Sequence, residues 1–251
     1  MFELIDRRRA KAESRAFLRD AQVSPRAFFA LYLGILVFLD LCSYLASLAG
    51  DSVSFFNAAE LFVTIFTSLL SPILAIGAYL YCLAIRRGQR VEFPALFDGF
   101  SFAGKIVLLA ILQALFIFLW SLLLVIPGIV AAYRYSFAYL NLCENPDLSP
   151  MEALALSKKQ TAGYKWQLFQ LDLSYFGWFI LTGLPTVITT WLFAADPEGL
   201  ASLSASPLYM AAELACYFLF NLLFLPEYYT VQTGYYEIAV RTSGASPSTP
   251  C

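Results

Sequence analysis

The sequence predicts an all-α fold: a polytopic membrane helical bundle of about six membrane segments, each near the length needed to cross a bilayer, with two short cytoplasmic interfacial helices. Three observations predict it. The chain is 60% hydrophobic and only 14% charged, whereas soluble domains average about 45–50% and about 25%. That apolar excess is more than one soluble core of 251 residues can hide, so lipid must be its solvent. Residues 105–141, KIVLLAILQALFIFLWSLLLVIPGIVAAYRYSFAYLN, form an apolar run nearly twice the length of one crossing, broken at Pro127-Gly128. The Lys and Arg residues, finally, are gathered in a few connecting segments, as topology signals are.

Taken in order, residues 1–26 form a basic N-terminal segment. Arg7, Arg8, Arg9, Lys11, Arg15, Arg19 and Arg26 outnumber Glu3, Asp6, Glu13 and Asp20. Phe2, Ile5, Ala16, Phe17 and Ala21 share part of a helical face, so the segment is either a surface helix on the membrane or a solvated tail that fixes orientation. The first span, 27–48, is too long for a signal-peptide core and reads as a retained anchor. An acidic loop with Asp51 leads to a second span, 61–85, which contains Pro72 and Gly77 and is followed at once by Arg86, Arg87 and Arg90. VEFPALFDGFSFAGK then reads as a short interfacial helix, with Pro94 in its first turn and Leu96, Phe97 and Phe100 on one side.

The central run follows. As a hairpin turning at Pro127-Gly128 it gives spans three and four; as one kinked span it puts Lys158, Lys159 and Lys165 outside, against the charge bias. The hairpin is the better reading. A second interfacial helix opens at SPME, 149–152, a capping box with proline in the first turn, and ends near Gly163. Span five, 166–193, contains Pro185, and its following loop carries Asp196 and Glu198 with no basic residue. Span six begins at Leu208 and continues toward Val240, with Pro226 inside it and Tyr228, Tyr229, Tyr235 and Tyr236 expected at the interface. The membrane domain is thus 27–240, and the tail 241–251 is disordered by composition. The basic segments fall on one side if both termini are cytoplasmic, in a cell (cytoplasmic) membrane.

Two segments share a pattern. In each an interfacial helix leads to a glycine and a lysine, an apolar span, and a tryptophan seven residues before a proline: Trp120 and Pro127, then Trp178 and Pro185. An internal repeat and the ordinary grammar of membrane helices both account for it.

The strings LFDGF, FLWSLLLVIPGI, NPDLSPMEALALSKK and GYKWQLFQLDLSYFGW resemble the domain of unknown function 975 family of bacterial integral membrane proteins. SPILAIG followed by RRGQRVEF, and the closing Tyr235-Tyr236-Glu237, fit the same resemblance. It implies a bacterial, mostly Gram-positive, multi-pass membrane protein with no assigned activity and no catalytic residues to carry over.

The residues themselves exclude several chemistries. There is no histidine, and the five cysteines are widely spaced without a C-x-x-C pair, so neither a zinc site nor a histidine base is expected. No phosphate-binding glycine loop is present, and no cofactor, metal or nucleic-acid partner is expected. Ser157-Lys158-Lys159 is no dyad, because adjacent helical residues diverge. Ionisable groups within spans are suspects by default: Asp40, Arg134, Asp172, Glu213 and Glu227. Asp172 and Arg134 form the candidate intramembrane charge pair. Arg86, Arg87, Arg90, Lys158, Lys159 and Lys165 are candidate contacts to anionic lipid head groups. Pro72, Pro127, Gly128, Pro185 and Pro226 are expected helix breaks. The leading functional reading is a non-enzymatic bundle that organises lipid, or partners such as a second copy or another membrane protein, through a basic cytoplasmic face. The other is a small solute or ion transporter or channel using the buried carboxylates. A membrane enzyme is the weakest, since no nucleophile–base constellation appears.

Overall fold

A computed structural model describes residues 3–49, 58–204 and 206–245, and all regular structure among them is helical. In order these are α1 (Arg7–Asp20), α2 (Pro25–Ala49), α3 (Ala58–Arg86), a 3₁₀ helix (Phe93–Phe102), α4 (Ala103–Leu123) and α5 (Val125–Arg134). They are followed by α6 (Ala138–Glu144), α7 (Pro150–Gln160), α8 (Lys165–Thr182), α9 (Leu184–Leu192), α10 (Pro197–Ser204) and α11 (Pro207–Ser243). The acidic loop with Asp51 and the last residues of the expected disordered tail lie outside the described residues. Helix α11 itself runs past the expected domain boundary to Ser243.

Four stretches are long and apolar enough to cross a membrane: Pro25–Leu45, Leu61–Arg86, Phe93–Leu123 and Pro207–Ser243. Helices α8 and α9, bent by 66°, make a fifth if they are one broken span. The architecture is therefore that of a multi-pass membrane protein by length and composition. The expected fourth span is not a single helix. Helix α5 has ten residues, about 15 Å at 1.5 Å per residue, or half a hydrocarbon core. A turn at 135–137 separates it from α6.

The hairpin itself is present, but its corner is Leu124. That residue is extended, at φ −167° and ψ 152°. Pro127 and Gly128 lie just beyond, in the first turn of α5, where a proline's missing N–H costs nothing. Gly128 has a different task. A Cβ there would run into the Ser121 side chain, so glycine lets α5 lie flat on α4. The two ends of the hairpin meet where Lys105 Nζ donates to the Pro146 carbonyl at 2.6 Å. Pro72 and Pro226 do not break their helices: α3 and α11 run through them. Pro185 follows a break at Gly183, which caps both α8 and α9.

Short helices stand at both expected positions, the first running on into α4 as part of the Phe93–Leu123 stretch. Ser149 and Glu152 form the full capping box of α7, the hydroxyl accepting from the Glu152 N–H and the carboxylate from the Ser149 N–H. Those bonds hold the Glu152 carboxyl below its ordinary range. The depressed value makes the cap's contribution present above the ordinary carboxylate range, and it is lost as pH falls through the folded-state value. Leu154 is buried, while Met151 is exposed. In the 3₁₀ helix Leu96 and Gly99 face inward, and Phe97 and Phe100 point out. This helix sits directly on α3. A Cβ at Gly77 would meet the Leu96 backbone, and one at Gly99 would approach the Ile73 carbonyl to 2.6 Å.

The molecule has two unlike ends. One is packed tightly by the C-terminal parts of α3 and α11, by α6, α7, the start of α8 and by α1. It buries Tyr81, Tyr164, Tyr235 and Tyr236. The other is apolar and open: Leu124 is 69% and Ile126 75% exposed at the hairpin tip, the surface expected against lipid. All sixteen Lys and Arg lie in segments belonging to the first end. The second carries Asp40, Asp196, Glu198 and Glu213 among its described residues.

Gly77→Ala is expected to destabilise the chain by about 1–3 kcal/mol, the usual cost of overpacking against backbone. Gly177→Ala, which meets nothing within 4 Å, is expected to stay within about 0.5 kcal/mol. Thermal unfolding of both variants in one detergent checks the difference.

Candidate functional site

The charged end is held by side chains brought together from distant parts of the chain. Asp172 lies two turns into α8. Its carboxylate accepts from Tyr133 Oη of α5 at 2.8 Å and from Tyr228 Oη of α11 at 3.0 Å. Gln232, one turn beyond Tyr228, donates to the Tyr228 oxygen at 2.9 Å and accepts from Tyr79 Oη of α3 at 2.8 Å. One carboxylate, three tyrosines and a glutamine thus link four helices, giving Asp172 neutral partners in place of a cation.

The predicted Asp172–Arg134 pair does not form. Adjacent residues on a helix point about 100° apart, so Tyr133 and Arg134 cannot both face α8. Tyr133 does. The Arg134 backbone carbonyl accepts from Ser157 Oγ at 2.9 Å and Thr161 Oγ1 at 3.2 Å of α7, and its buried Nε has no hydrogen-bond partner. Sequence reasoning found Asp172 but missed Tyr133 and Tyr228. The signal was a tyrosine beside the expected arginine.

Glu227, next to Tyr228, is the anchor of α1. Arg15 reaches it with two bonds, at 2.7 and 3.2 Å, and Tyr175 Oη donates to it at 2.9 Å. Lys11 Nζ stands 3.7 Å from the centre of the Tyr175 ring, and burial lowers its pKa despite Glu227. The Glu227 hydrogen bond holds Arg15 more firmly protonated. Further back, the Glu3 N–H donates to Tyr164 Oη at 2.9 Å and the Ile5 N–H to Gln167 at 3.0 Å. The N-terminal segment is therefore neither a free tail nor a loose surface helix. Ala10, Ser14, Phe17 and Ala21 turn inward, while Ala16 is exposed.

A third cluster joins α3, α6, α7 and α11. Arg86 Nε donates to Glu237 at 2.8 Å with only 10% of its side chain exposed, and its guanidinium stacks 5.0 Å from the Phe17 ring. Arg87 pairs with Glu144, and its Nε lies 3.7 Å from Glu237. Tyr236 Oη lies 2.9 Å from Glu144 and 3.1 Å from Asn141, and Asn141 exchanges two bonds with Gln160, at 2.9 and 2.8 Å. Of the candidate lipid contacts, Arg86 is thus turned inward and Arg87 is tied to carboxylates. Arg90, Lys158 and Lys159 are exposed, and Lys165 is half-buried beside the exposed Trp166.

At the opposite end Asp40 of α2 and Glu213 of α11 line a cavity of about 440 Å³ beside the α8–α9 break, with Ser43, Thr182, Gly183 and Tyr217. Thr186 of α9 donates to Glu213. Among the described residues no three Asp, Glu or Cys side chains converge as a metal site requires.

Replacing Tyr228 by Phe removes two bonds, the one to Asp172 and the one from Gln232, and is expected to cost about 1–3 kcal/mol. Asp172→Leu, which leaves two hydroxyls unpaired, is expected to cost about 2–4 kcal/mol. A double-mutant cycle on unfolding in detergent separates the shared bond from each side chain's packing.

No curated protein and no solved structure matches the chain. One family model does, over residues 121–220. That stretch runs from the end of α4 to the first third of α11, so it contains Tyr133, Asp172 and the α8–α9 break but neither α1 nor Arg86. The family is the one the sequence resembles: protein of unknown function (DUF975), matched across residues 121–220.

Proposed function

We propose that this protein is a non-enzymatic, membrane-embedded scaffold of the cell membrane, whose basic end faces the cytoplasm and gathers anionic lipid head groups. The observation that carries the reading is the polarity of the fold. Every Lys and Arg belongs to one end, and cytoplasmic loops are where such an excess resides. Arg90, Lys158 and Lys159 are exposed there, and each basic residue near an anionic leaflet contributes about 1 kcal/mol. The interior of the same end is filled by bonded tyrosines, asparagine and glutamine, which suits a rigid platform. A second copy or another membrane protein fits the exposed apolar half.

A second reading, transport of a cation or cationic solute, draws on the cavity holding Asp40 and Glu213 beside the broken α8–α9 helix. Discontinuous helices often line transport sites. It requires a flux in proteoliposomes that Glu213→Gln or Asp172→Asn abolishes.

Orientation is tested by single cysteines at exposed positions, with the unsubstituted chain as background. Lys159→Cys is expected to resist a membrane-impermeant maleimide in intact cells and to react after permeabilisation. Glu198→Cys is expected to react from outside. The opposite result overturns the scaffold's facing. Lipid preference is tested by melting temperature in neutral detergent. Added phosphatidylglycerol is expected to raise it, and the Arg90→Gln, Lys158→Gln, Lys159→Gln variant to lose most of that rise.

A further inference from the structure

The corner between α1 and α2 encloses a cavity of about 490 Å³ whose far wall is α11. Three arginines line it: Arg15 and Arg19 from α1 and Arg26 from the first turn of α2. Leu222, Leu223 and Pro226 form its apolar wall. None of these three arginines is among the basic residues assigned above to lipid contact.

Their charge is not balanced within the protein. Glu227 is the acidic side chain lining the cavity, and it is already occupied by Arg15 at 2.7 Å and by Tyr175 at 2.9 Å. Asp20, although next to Arg19, lines the neighbouring cavity beside Arg86. Among the described residues Arg19 and Arg26 have no hydrogen-bond or ion-pair partner. Arg15, clamped by two bonds to Glu227, ties the α1 wall of the cavity to α11. The cavity is thus a concave surface with two unspent guanidinium forks. A fork of five donors matches a phosphate's oxygens in a bidentate way that an ammonium cannot.

Depth decides what else the occupant must carry. The cavity lies where the first candidate span begins, at Pro25. Leu223 on the opposite wall is 59% exposed. A site with cations on one wall and an open leucine on the other, at the start of a span, suits an anionic head with a hydrocarbon tail.

We propose that this corner is a binding site for a phosphate-bearing anion, with Arg19 and Arg26 as its direct ligands, Arg15 as the residue that positions the α1 wall, and Leu222 and Leu223 as the seat of an acyl chain. The phosphate chemistry is shared by a phospholipid head group and by free phosphate compounds, and the apolar wall favours the lipid. The proposal deepens the scaffold reading and rests on it, giving the attraction to anionic lipid one built site.

The test uses the full chain in an uncharged detergent and measures equilibrium binding of dioctanoyl phosphatidic acid, dioctanoyl phosphatidylcholine and inorganic phosphate. Phosphatidic acid is expected to bind more tightly than phosphatidylcholine. Arg19→Gln with Arg26→Gln is expected to weaken it about tenfold or more, two cations being removed, with the melting temperature unchanged because neither side chain is bonded in the fold. Leu223→Gln is expected to weaken the lipid and leave inorganic phosphate untouched. Inorganic phosphate that binds as tightly as the lipid, and loses its binding in the double arginine variant, upholds the anion site and overturns the acyl seat. Phosphatidic acid binding that is unchanged in the double variant overturns the site. If that lipid preference instead disappears in the Arg90→Gln, Lys158→Gln, Lys159→Gln variant, the scaffold reading survives without this corner. No preference for the anionic lipid in the unsubstituted chain overturns both.

Discussion

A polar group surrounded by hydrocarbon must find its partner inside the protein, and this requirement shapes the chain more than any other. Each unsatisfied group in lipid costs several kcal/mol. The fold meets the demand by concentration. Polar and ionic side chains from α1, α3, α5, α6, α7, α8 and α11 converge on one end, where tyrosine hydroxyls close many of the bonds, while Arg134 Nε and Tyr235 Oη stay without a hydrogen-bond partner. Asp172 between Tyr133 and Tyr228, Glu227 between Arg15 and Tyr175 and Glu144 between Arg87 and Tyr236 repeat one device. In each a carboxylate is held by at least one neutral phenol on a different helix. The opposite end, free of Lys and Arg, can expose leucine and isoleucine to lipid.

Burying carboxylates against phenols has a consequence for specificity. An ion pair attracts at long range and tolerates rotation, whereas a tyrosine must place its hydroxyl within about 3 Å along a set direction. Tyr228 and Tyr175 therefore fix the rotation of α11 about its axis as well as its position. Pro226 sits among these contacts without ending the helix. One turn on, the Thr230 hydroxyl donates to the Pro226 carbonyl at 2.7 Å.

What the sequence could disclose follows the range of the interactions. Four of the spans, the α7 cap and the segregation of charge depend on residues within a few turns of one another, and these were legible; the fourth expected span, broken into α6 and the ten-residue α5, was not. Asp172 was legible as a suspect because an aspartate in an apolar run stands out. Its partners were not, since a phenol in a membrane helix looks like any other aromatic. The docking of α1 rests on Arg15 meeting Glu227, 212 residues away, and no local pattern announces it. Proline misled in both directions. It marked breaks at Pro72 and Pro226, where tertiary packing carries the helix through, and drew attention to Pro127 when the corner is the unremarkable Leu124.

The two tryptophan–proline segments show how little sequence separates different geometries. After Trp120 comes Ser121, and after Pro127 comes Gly128; these two small residues touch, and α5 folds back along α4. After Trp178 comes Phe179, and after Pro185 comes Thr186. Phe179 is committed to α11, its ring 5.2 Å from Phe224 and 5.8 Å from Tyr228. Thr186 is drawn to α11 as well, through Glu213. A bulky ring and a branched hydroxyl cannot close the seam that serine and glycine close, so α9 swings 66° from the axis of α8 instead of reversing. The space left beside that bend is the cavity of Asp40 and Glu213. One pattern thus yields a closed hairpin in the first segment and an open, acid-lined elbow in the second, and the size of the two residues that must meet decides which.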